Sequence, residues 1–293
     1  MTYQSASYDM LSVVISVALS FLGCFAALVS AIRIPLSSGR RRRQWISAAS
    51  VSLGGGAIWS MHFVAMTAYH LGDMEIVYNV PLTALSLVVA VAASGLGIRV
   101  VATDPRSLGR IAVGGVTAGL GIALMHYTGM AAMRTGSRVT YDPGRVVLSV
   151  GIAVGAALAA LAIAFRVRSR THVLLASTVM TVAVCGMHYT AMTAVRVERM
   201  DATVPMTGAD PIAMVLAVCV VTFTVLAGVI ILALGALSEE GSFRLEKNSG
   251  PTGQVAADAV RGAPSAFSPR PVQRRADVDP TPVRPSHRRP MNT

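Results

Sequence analysis

The sequence is poor in charge and in aromatic residues. Only 13% of its 293 residues are charged and 5% are aromatic, whereas 53% are hydrophobic. Because soluble domains usually carry about 25% charged residues, this composition indicates a membrane protein. Acidic residues are scarcer than basic ones, and the net charge is +11. The basic residues lie in loops and in the C-terminal part, so membrane topology explains the excess better than nucleic-acid binding, and we expect no nucleic-acid partner.

Cysteine is rare as well, and the chain lacks the marks of a cleaved signal peptide. Its three cysteines, Cys24, Cys185 and Cys219, all lie in apolar runs, a position that favours packing over disulfide formation. Residues 1–8 contain no Lys or Arg, and the first apolar run is longer than a signal peptide needs. We therefore expect that run to remain in the protein as a helix.

Long apolar runs dominate the sequence instead. A helix needs about 20 apolar residues to cross a hydrocarbon core of about 30 Å. Seven stretches satisfy this requirement, and together they predict an all-α polytopic membrane protein with the bilayer as its surroundings: 10–32, 46–69, 80–101, 108–133, 146–165, 171–195 and 211–237.

The distribution of Lys and Arg predicts how these spans are oriented. The first, third and fifth loops carry eleven arginines, whereas the loops on the opposite side carry five arginines together with six acidic residues. Positively charged loops remain in the cytoplasm, so we expect the N-terminus outside and the C-terminus inside the plasma membrane.

The composition changes again from Ser238 onward. Eight of the fourteen prolines lie between Pro251 and Pro290, and large apolar residues are few. Such a segment buries too little apolar surface to offset its conformational entropy. We expect residues 238–293 to form a disordered cytoplasmic tail.

A short motif occurs three times, each time near the end of an apolar run. Its pattern is Met-His-x-x-x-Met, which a chain of this composition would contain roughly 0.015 times by chance. The copies comprise residues 61–66, 125–130 and 187–192. Successive histidines are 64 and 62 residues apart, so the chain is predicted to be a threefold repeat of a helical hairpin, followed by one further helix.

The three histidines lie at one predicted depth. Counted from the cytoplasmic start of each span, His62, His126 and His188 are 16, 18 and 17 residues along, which places them about 24–27 Å into the membrane. Their rings can meet if the three helices pack together. The second Met of each copy lies one turn further on the same face. The predicted ligands are therefore the three histidines with Met66, Met130 and Met192, and the first methionines Met61, Met125 and Met187 are further candidates.

Imidazole with thioether sulfur suits copper, particularly Cu(I), whereas imidazole alone also suits zinc or iron. Side chains that follow the histidines are candidates to support such a site by hydrogen bonding: Tyr127, Tyr189, Thr128 and Thr190. A structural role stays open for each residue, because a membrane-buried His often bonds a neighbouring helix and a buried Met often fills space.

The motifs resemble those of the MHYT domain, a bacterial integral-membrane sensor domain. Residues 125–128 and 187–190 read Met-His-Tyr-Thr in full, and residues 61–62 keep the Met and the His. The similarity covers residues 8–200, which we assign as the membrane domain, with 211–237 as the following seventh span. The resemblance implies a copper site of Met and His near the outer membrane face that senses oxygen, carbon monoxide, nitric oxide or redox state.

Three kinds of function follow. A non-enzymatic sensor is favoured. Larger members of the family end in output domains, whereas only about 55 residues follow the seventh span here, so this sensor would signal through a cytoplasmic or membrane output partner. A copper transport or delivery protein would need ligands throughout the membrane, but the candidates cluster at one end. A membrane redox enzyme, or a haem protein, would lack an acid or base near the motifs.

Overall fold

The computed structural model describes residues 7–70, 76–167, 169–198 and 207–248, and most of them are helical. Six helices are long and apolar enough to cross a membrane. They are α1 Met10–Arg33, α4 Val80–Thr103, α5 Leu108–Ala132, α6 Pro143–Ala164, α7 Arg170–Met192 and α8 Pro211–Asn248. Their bounds agree with six of the predicted spans to within a few residues, except at the end of α8.

The predicted second span is helical but not uniform. It consists of α2 Gly39–Val51, a π-helix Ser52–Trp59 and α3 Ser60–Thr67, which follow one another without a break. The predicted start at residue 46 was wrong. The helix begins earlier, with the arginines of residues 40–43 in its first turns, because a run of charged side chains lowers hydropathy without preventing helix formation.

In the described part of the chain, six short strands join the helices at one end of the bundle, which we call the motif end. They form three antiparallel pairs, so the prediction of a purely helical fold was incomplete. The pairs are β1 Ser7–Tyr8 with β2 Tyr69–His70, β3 Val77–Tyr78 with β4 Met133–Arg134, and β5 Arg138–Tyr141 with β6 Val195–Glu198. The order strand, helix, helical span, strand thus occurs three times along the chain.

The same pattern of hydrogen bonds occurs beside each of the three strand pairs. The residue after the first strand caps the next helix with its side chain. Its backbone N–H donates to a carbonyl at or just beyond the end of a helix that carries a motif. Asp9 donates to Ala68, Asn79 to Ala132 and Asp142 to Ala194, over 2.8–2.9 Å. Capping satisfies backbone donors that a helix start would otherwise leave unpaired. These bonds fix the three motif helices relative to their neighbours.

The helices of residues 10–192 pack into a closed ring in chain order. Helix α1 closes the ring because it packs against both α7 and the second span. Glycines permit the closest approaches. A Cβ on Gly23 would lie 2.4 Å from Ala57 N of the π-helix, and one on Gly119 would lie 2.5 Å from Val154 Cα of α6. The motif helices are thereby brought close enough for side chains at the same depth to meet.

Helix α8 lies beside this ring and contributes few buried residues. Its entry is anchored because Tyr78 and Ala209 exchange two backbone hydrogen bonds of 2.8 and 2.9 Å. Further along, Val225 faces Gly56 of the π-helix. The chain divides after Leu237 into two compact units. The predicted start of the tail, Ser238, coincides with this division, although α8 itself continues to Asn248. Residues 249–293 of the predicted disordered tail lie outside the described residues.

Candidate metal centre

The three motif histidines converge. His62 lies on α3, His126 on α5 and His188 on α7, and each ring is at most 1% exposed. The Nδ1 atom of His62 lies 3.1 Å from Nδ1 of His188 and 3.1 Å from Nδ1 of His126. The ring centroids are 4.7–5.2 Å apart, and the rings meet edge to face. Side chains that are up to 126 residues apart in sequence therefore form one compact cluster.

The donor set of this cluster fits a metal ion better than it fits hydrogen bonding alone. Two neutral rings can share one N–H···N bond, but a third Nδ1 then faces the pair with its lone pair or its proton unmatched. A cation accepts all three lone pairs at once. Two nitrogens bound at about 2.0 Å to one metal are separated by about 3.3 Å in tetrahedral geometry, close to the observed spacing.

Within the described part of the chain, the outer nitrogens make no hydrogen bonds that would account for the cluster. The Nε2 atoms of His62, His126 and His188 are buried and have no hydrogen-bond partner among the described residues. Hydrogen bonds to the surroundings therefore do not explain why the rings are buried here. Among the described residues, the cluster contains the three imidazoles and neither a carboxylate nor a thiol. It is a set of neutral ligands in an apolar environment, which suits a soft or borderline cation.

Helix starts and helix type set the common depth of the histidines. Ser107 and Ser169 cap α5 and α7, and each lies 19 residues before its motif histidine. The corresponding residue of the second span, Ser38, lies 24 residues before His62. The π-helix lies in this longer interval. Because a π-helix has more residues per turn than an α-helix, it changes the angle at which His62 leaves the helix, while most of the extra length extends the helix at its start, where Arg40–Arg43 lie.

Gly129 makes room for His62. A Cβ at this position would lie 2.3 Å from Nε2 and 2.9 Å from Cδ2 of that ring, and 3.3 Å from the ring of Phe63. No real Cβ approaches so closely, so the α5 backbone itself forms the wall against which the His62 ring packs. The other two motif copies have Ala65 and Ala191 at the equivalent position.

The six motif methionines are all buried, none more than 3% exposed. Met66, Met130 and Met192 lie one turn beyond the histidines on the same three helices. Met187 also lines a cavity on the other side of the cluster. Burial at this position is compatible with the predicted ligand role and with packing, and the sulfur ligands stay a prediction.

The four side chains that were predicted to support the site by hydrogen bonding lie in different surroundings. The rings of Tyr127 and Tyr189 pack edge-on against the histidine that precedes each of them, with centroids 5.0 Å apart. The hydroxyl of Tyr127 is hydrogen-bonded to Ser149 of α6 over 2.8 Å, so it is directed away from the imidazoles. Thr128 and Thr190 are half-buried. These residues surround the cluster, but no hydrogen bond of theirs to an imidazole is found in the described part of the chain.

Sequence reasoning missed a second group of aromatic residues, which we call the tyrosine collar: Tyr8, Tyr78 and Tyr141. Each collar ring packs on the aromatic residue that follows a motif histidine. Tyr8 lies 5.9 Å from Tyr189, Tyr78 lies 6.2 Å from Phe63 and Tyr141 lies 5.8 Å from Tyr127, between ring centroids. Each contact joins two different strand–helix units, so the collar encloses the histidine cluster from the motif end.

The sequence does contain a pattern that marks the tyrosines of the collar. Each collar tyrosine is followed directly by a helix-capping residue, as Tyr8-Asp9, Tyr78-Asn79 and Tyr141-Asp142. Tyr78 and Tyr141 follow the preceding motif histidine by 16 and 15 residues. The strands that carry these tyrosines are only two to four residues long, too short to be detected from alternating hydrophobicity.

Ionisable groups at the motif end have pKa values shifted by these contacts. The pKa of the Asp142 carboxyl is lowered because it accepts a hydrogen bond from the Arg145 backbone N–H, and also because Arg196 forms an ion pair with it at 2.8 Å. Burial, together with the neighbouring Tyr69 and Tyr189, raises the pKa of Tyr8 to about 12. Tyr8 is therefore a neutral phenol under physiological conditions.

Part of this chain is similar in sequence to a known protein family. The family model of MHYT, the N-terminal repeat of bacterial signalling proteins, matches at residues 55–114 and again at 119–177. Residues 55–177 of this chain contain two matches to the MHYT repeat. The resemblance inferred from the motifs is thus confirmed. The first two motif copies fall within the matched residues, and the third, at 187–192, follows them.

Curated proteins that are similar to this chain are bacterial signalling proteins. MucR of Pseudomonas aeruginosa, a bifunctional diguanylate cyclase/cyclic di-GMP phosphodiesterase, is 42% identical over 194 residues. NbdA of the same organism, a cyclic di-GMP phosphodiesterase, is 40% identical over 198 residues. The signalling protein YkoW of Bacillus subtilis is 31% identical over 198 residues. These alignments cover 64–65% of this chain but only 24–28% of each relative. No significant match to a solved structure was found.

Proposed function

We propose that this protein is a membrane sensor that binds copper through His62, His126 and His188 and is not itself an enzyme. The observation that carries the proposal is the meeting of three buried imidazoles, in which Nδ1 of His62 lies 3.1 Å from Nδ1 of both His126 and His188, with neither a carboxylate nor a thiol in the cluster among the described residues. Copper would supply a redox-active centre with affinity for diatomic gases. The buried motif methionines are the soft ligands available to complete its coordination.

The proposed arrangement in the membrane has seven spans. We count the helical run of residues 39–67 as the second span, in addition to the six single helices. The arginine distribution then supports an N-terminus outside, a cytoplasmic C-terminus, and a motif end at the outer face of the bacterial plasma membrane. The threefold order of strands and helices supports descent of the ring from one repeated hairpin.

The proposed signal passes from the histidines to helix α8. His62 is the ligand candidate that follows the π-helix, and the π-helix faces Val225 of α8 through Gly56. Trp59, at the end of the π-helix, donates a 3.1 Å hydrogen bond to Ser86 of α4. A change in copper ligation that displaces His62 would alter this packing and reposition α8, which leads towards the cytoplasm. A cytoplasmic or membrane partner would detect that movement.

The similar proteins support a sensing role in signalling. MucR and NbdA are named as enzymes of cyclic di-GMP metabolism, and the part of them that matches this chain carries the MHYT repeats. We propose that the shared membrane unit supplies the input of a signalling process, and that the stimulus is a diatomic gas (oxygen, carbon monoxide or nitric oxide) or a change in redox state.

Metal analysis tests the copper site. Protein purified in detergent and loaded with Cu(I) is expected to retain one copper per chain, and each of His62→Ala, His126→Ala and His188→Ala to weaken binding strongly. His70→Ala is the matched control, because His70 is an exposed histidine of β2. Wild-type protein that retains no copper, or three histidine variants that bind it as tightly as the control, would refute the proposal.

The alternatives receive less support. Beneath the histidines, the central cavities are lined almost entirely by Ala, Leu, Ile, Val and Met, and a permeating copper ion would need ligands along its path. A redox enzyme would need a group that transfers protons, and among the described residues the cluster includes no acid. The absorption spectrum of the purified protein tests for haem. A Soret band would show that the cofactor is haem and not copper.

A further inference from the structure

A cavity lies in the centre of the helix ring, next to the histidine cluster. Its walls come from the π-helix, α4, α5, α6 and α7, and among the described residues they are almost entirely apolar. Ser94 contributes the one polar side chain of this wall, and its hydroxyl has no hydrogen-bond partner in the described part of the chain. The cavity is therefore a hydrophobic space inside a membrane protein.

The position of the cavity is fixed by the motif helices. Ile58, Ile122 and Val184 all line it, and each lies four residues before a motif histidine. On regular α-helices such as α5 and α7, four residues correspond to one turn, so the cavity begins about 6 Å from the histidine layer. Met187, which directly precedes His188, lines the cavity as well. A molecule in the cavity would thus be one turn away from the imidazoles.

The size and the polarity of the cavity decide what it can hold. Its volume is about 40 Å³, counted over the positions open to the centre of a water-sized sphere. On that measure a single water needs roughly 10–15 Å³. Water would also need two to four polar partners, and an apolar cavity of this kind stays dry and accepts apolar guests. The space suits a very small apolar molecule and is too small for a lipid chain or a peptide.

Small side chains connect the cavity with the lipid. Ala156 and Ala160 of α6 and Ala183 of α7 line the cavity and are each only half-buried. The seam between α6 and α7 is therefore thin at this level. Small apolar gases dissolve better in hydrocarbon than in water, so the bilayer itself would deliver them to this seam.

We propose that this cavity is a holding site for a diatomic gas, which enters from the bilayer between α6 and α7 and reaches the histidine cluster from beneath. The inference rests on the proposed function for its biological role, because the gas becomes a signal only when it meets a metal at the histidines. The occupancy of the cavity does not depend on the metal. The tyrosine collar closes the opposite side of the cluster, so the route from the lipid is the shorter one for an apolar guest.

Filling the cavity tests the proposal. Ala157 of α6 lines the cavity and is 6% exposed, whereas Ala159, two residues further on the same helix, faces outward. Ala157→Leu and Ala159→Leu therefore add the same side chain inside and outside the cavity. Xenon is the probe for the metal-free protein, followed by ¹²⁹Xe NMR. Recombination of carbon monoxide after flash photolysis is the probe for the Cu(I)-loaded protein.

We expect wild type and Ala159→Leu to bind xenon, and Ala157→Leu to lose xenon binding and recombine with carbon monoxide more slowly, while all three retain equal copper. Ala153→Leu, a second buried wall position, serves if Ala157→Leu does not fold. Xenon binding that is absent from wild type, or unchanged in both filled variants, would overturn the holding site. A wild type that binds xenon but no copper would instead leave the cavity in place and refute the copper sensor.

Discussion

At the scale of single residues, the most constrained position around the cluster is a glycine. Because a Cβ on Gly129 would lie 2.3 Å from His62 Nε2, Gly129→Ala must displace either the ring or the α5 backbone. We expect copper affinity to fall by about 10–100-fold, the range typical when the support of a ligand is removed. Competition with a Cu(I) chelator measures the change.

Gly186→Ala is the matched control for this substitution. Gly186 directly precedes Met187 in the third motif copy, and a Cβ there would meet nothing within 4 Å. The control should bind copper like wild type. Equal affinities for both alanine variants would mean that His62 can move freely, which contradicts a cluster fixed by close packing.

The capping residue Asp142 gives a second prediction at this scale, which concerns pH. Its pKa is lowered in the folded protein, so the ionised carboxylate stabilises the fold above its ordinary pKa of about 3.9, and this contribution is lost as the pH falls through the lower folded value. Asp142→Asn keeps a capping side chain but removes the charge. We expect the variant to melt at a lower temperature than wild type near pH 6 and the difference to shrink towards pH 3.

The pH dependence distinguishes charge from packing. Thermal unfolding in detergent, followed by circular dichroism at several pH values, measures it for both proteins. A difference between the two that stays constant over this range would show that the carboxylate acts only through its shape and not through the Arg145 N–H and Arg196.

The sequence predicts a functional residue well where that residue belongs to a repeated motif, and poorly where its role depends on tertiary packing. Repetition of the motif was enough to select His62, His126 and His188, because equal positions on parallel helices imply equal depth. Repetition says nothing about ring orientation, so the meeting of the Nδ1 atoms could not be anticipated. Nor could the bond of Tyr127 to Ser149, since the partner helix α6 is placed only by tertiary packing.

At the scale of secondary-structure elements, the π-helix Ser52–Trp59 distinguishes the first motif span from α5 and α7, which are regular α-helices. We expect deletion of Gly55 to let this segment close as an α-helix. Because a π-helix turns less per residue than an α-helix, this conversion changes both the angle and the depth at which His62 leaves the helix. Copper binding should then be lost, while the protein still inserts into the membrane.

Gly55→Ala is the length-preserving control, because a Cβ there would meet only side chains, at 3.4 and 3.7 Å. Copper content and membrane yield are measured for both variants. If the deletion variant kept its copper, the π-helix would not be what aligns His62 with the other two rings.

Hydropathy predicted the elements well wherever a single long apolar helix exists, as for α1 and α4. It failed at the second span, where Arg40–Arg43 lie inside the helix, and at the end of α8, which continues past residue 237. Hydropathy measures transfer into lipid, whereas a helix extends as far as its backbone hydrogen bonds are favourable. The short strands at the motif end carry no such signal and depend on pairing between distant segments.

At the scale of the whole molecule, the proposed topology makes a prediction that is independent of copper. Gly136 lies in the turn between β4 and β5 and has a positive φ of 65°, a conformation typical of an exposed turn. An alkaline phosphatase domain inserted after it should be active, because the motif end is expected outside. A green fluorescent protein fused after residue 293 should be fluorescent, because the C-terminus is expected in the cytoplasm.

The two reporters together test orientation and the number of spans. An inactive phosphatase with a dark C-terminal fusion would reverse the orientation. Reporters that both indicate the same side would give an even number of crossings between Gly136 and the C-terminus, instead of the three that α6, α7 and α8 supply.

The closing contact of the tyrosine collar has a consequence for biosynthesis. Tyr8 is synthesised 181 residues before its partner ring, Tyr189. The segment around Tyr8 must therefore wait without this contact until almost all of the helix ring has been synthesised. A nascent chain cannot hold the histidine trio in its final geometry before that moment, so maturation of the centre is necessarily a post-insertion event.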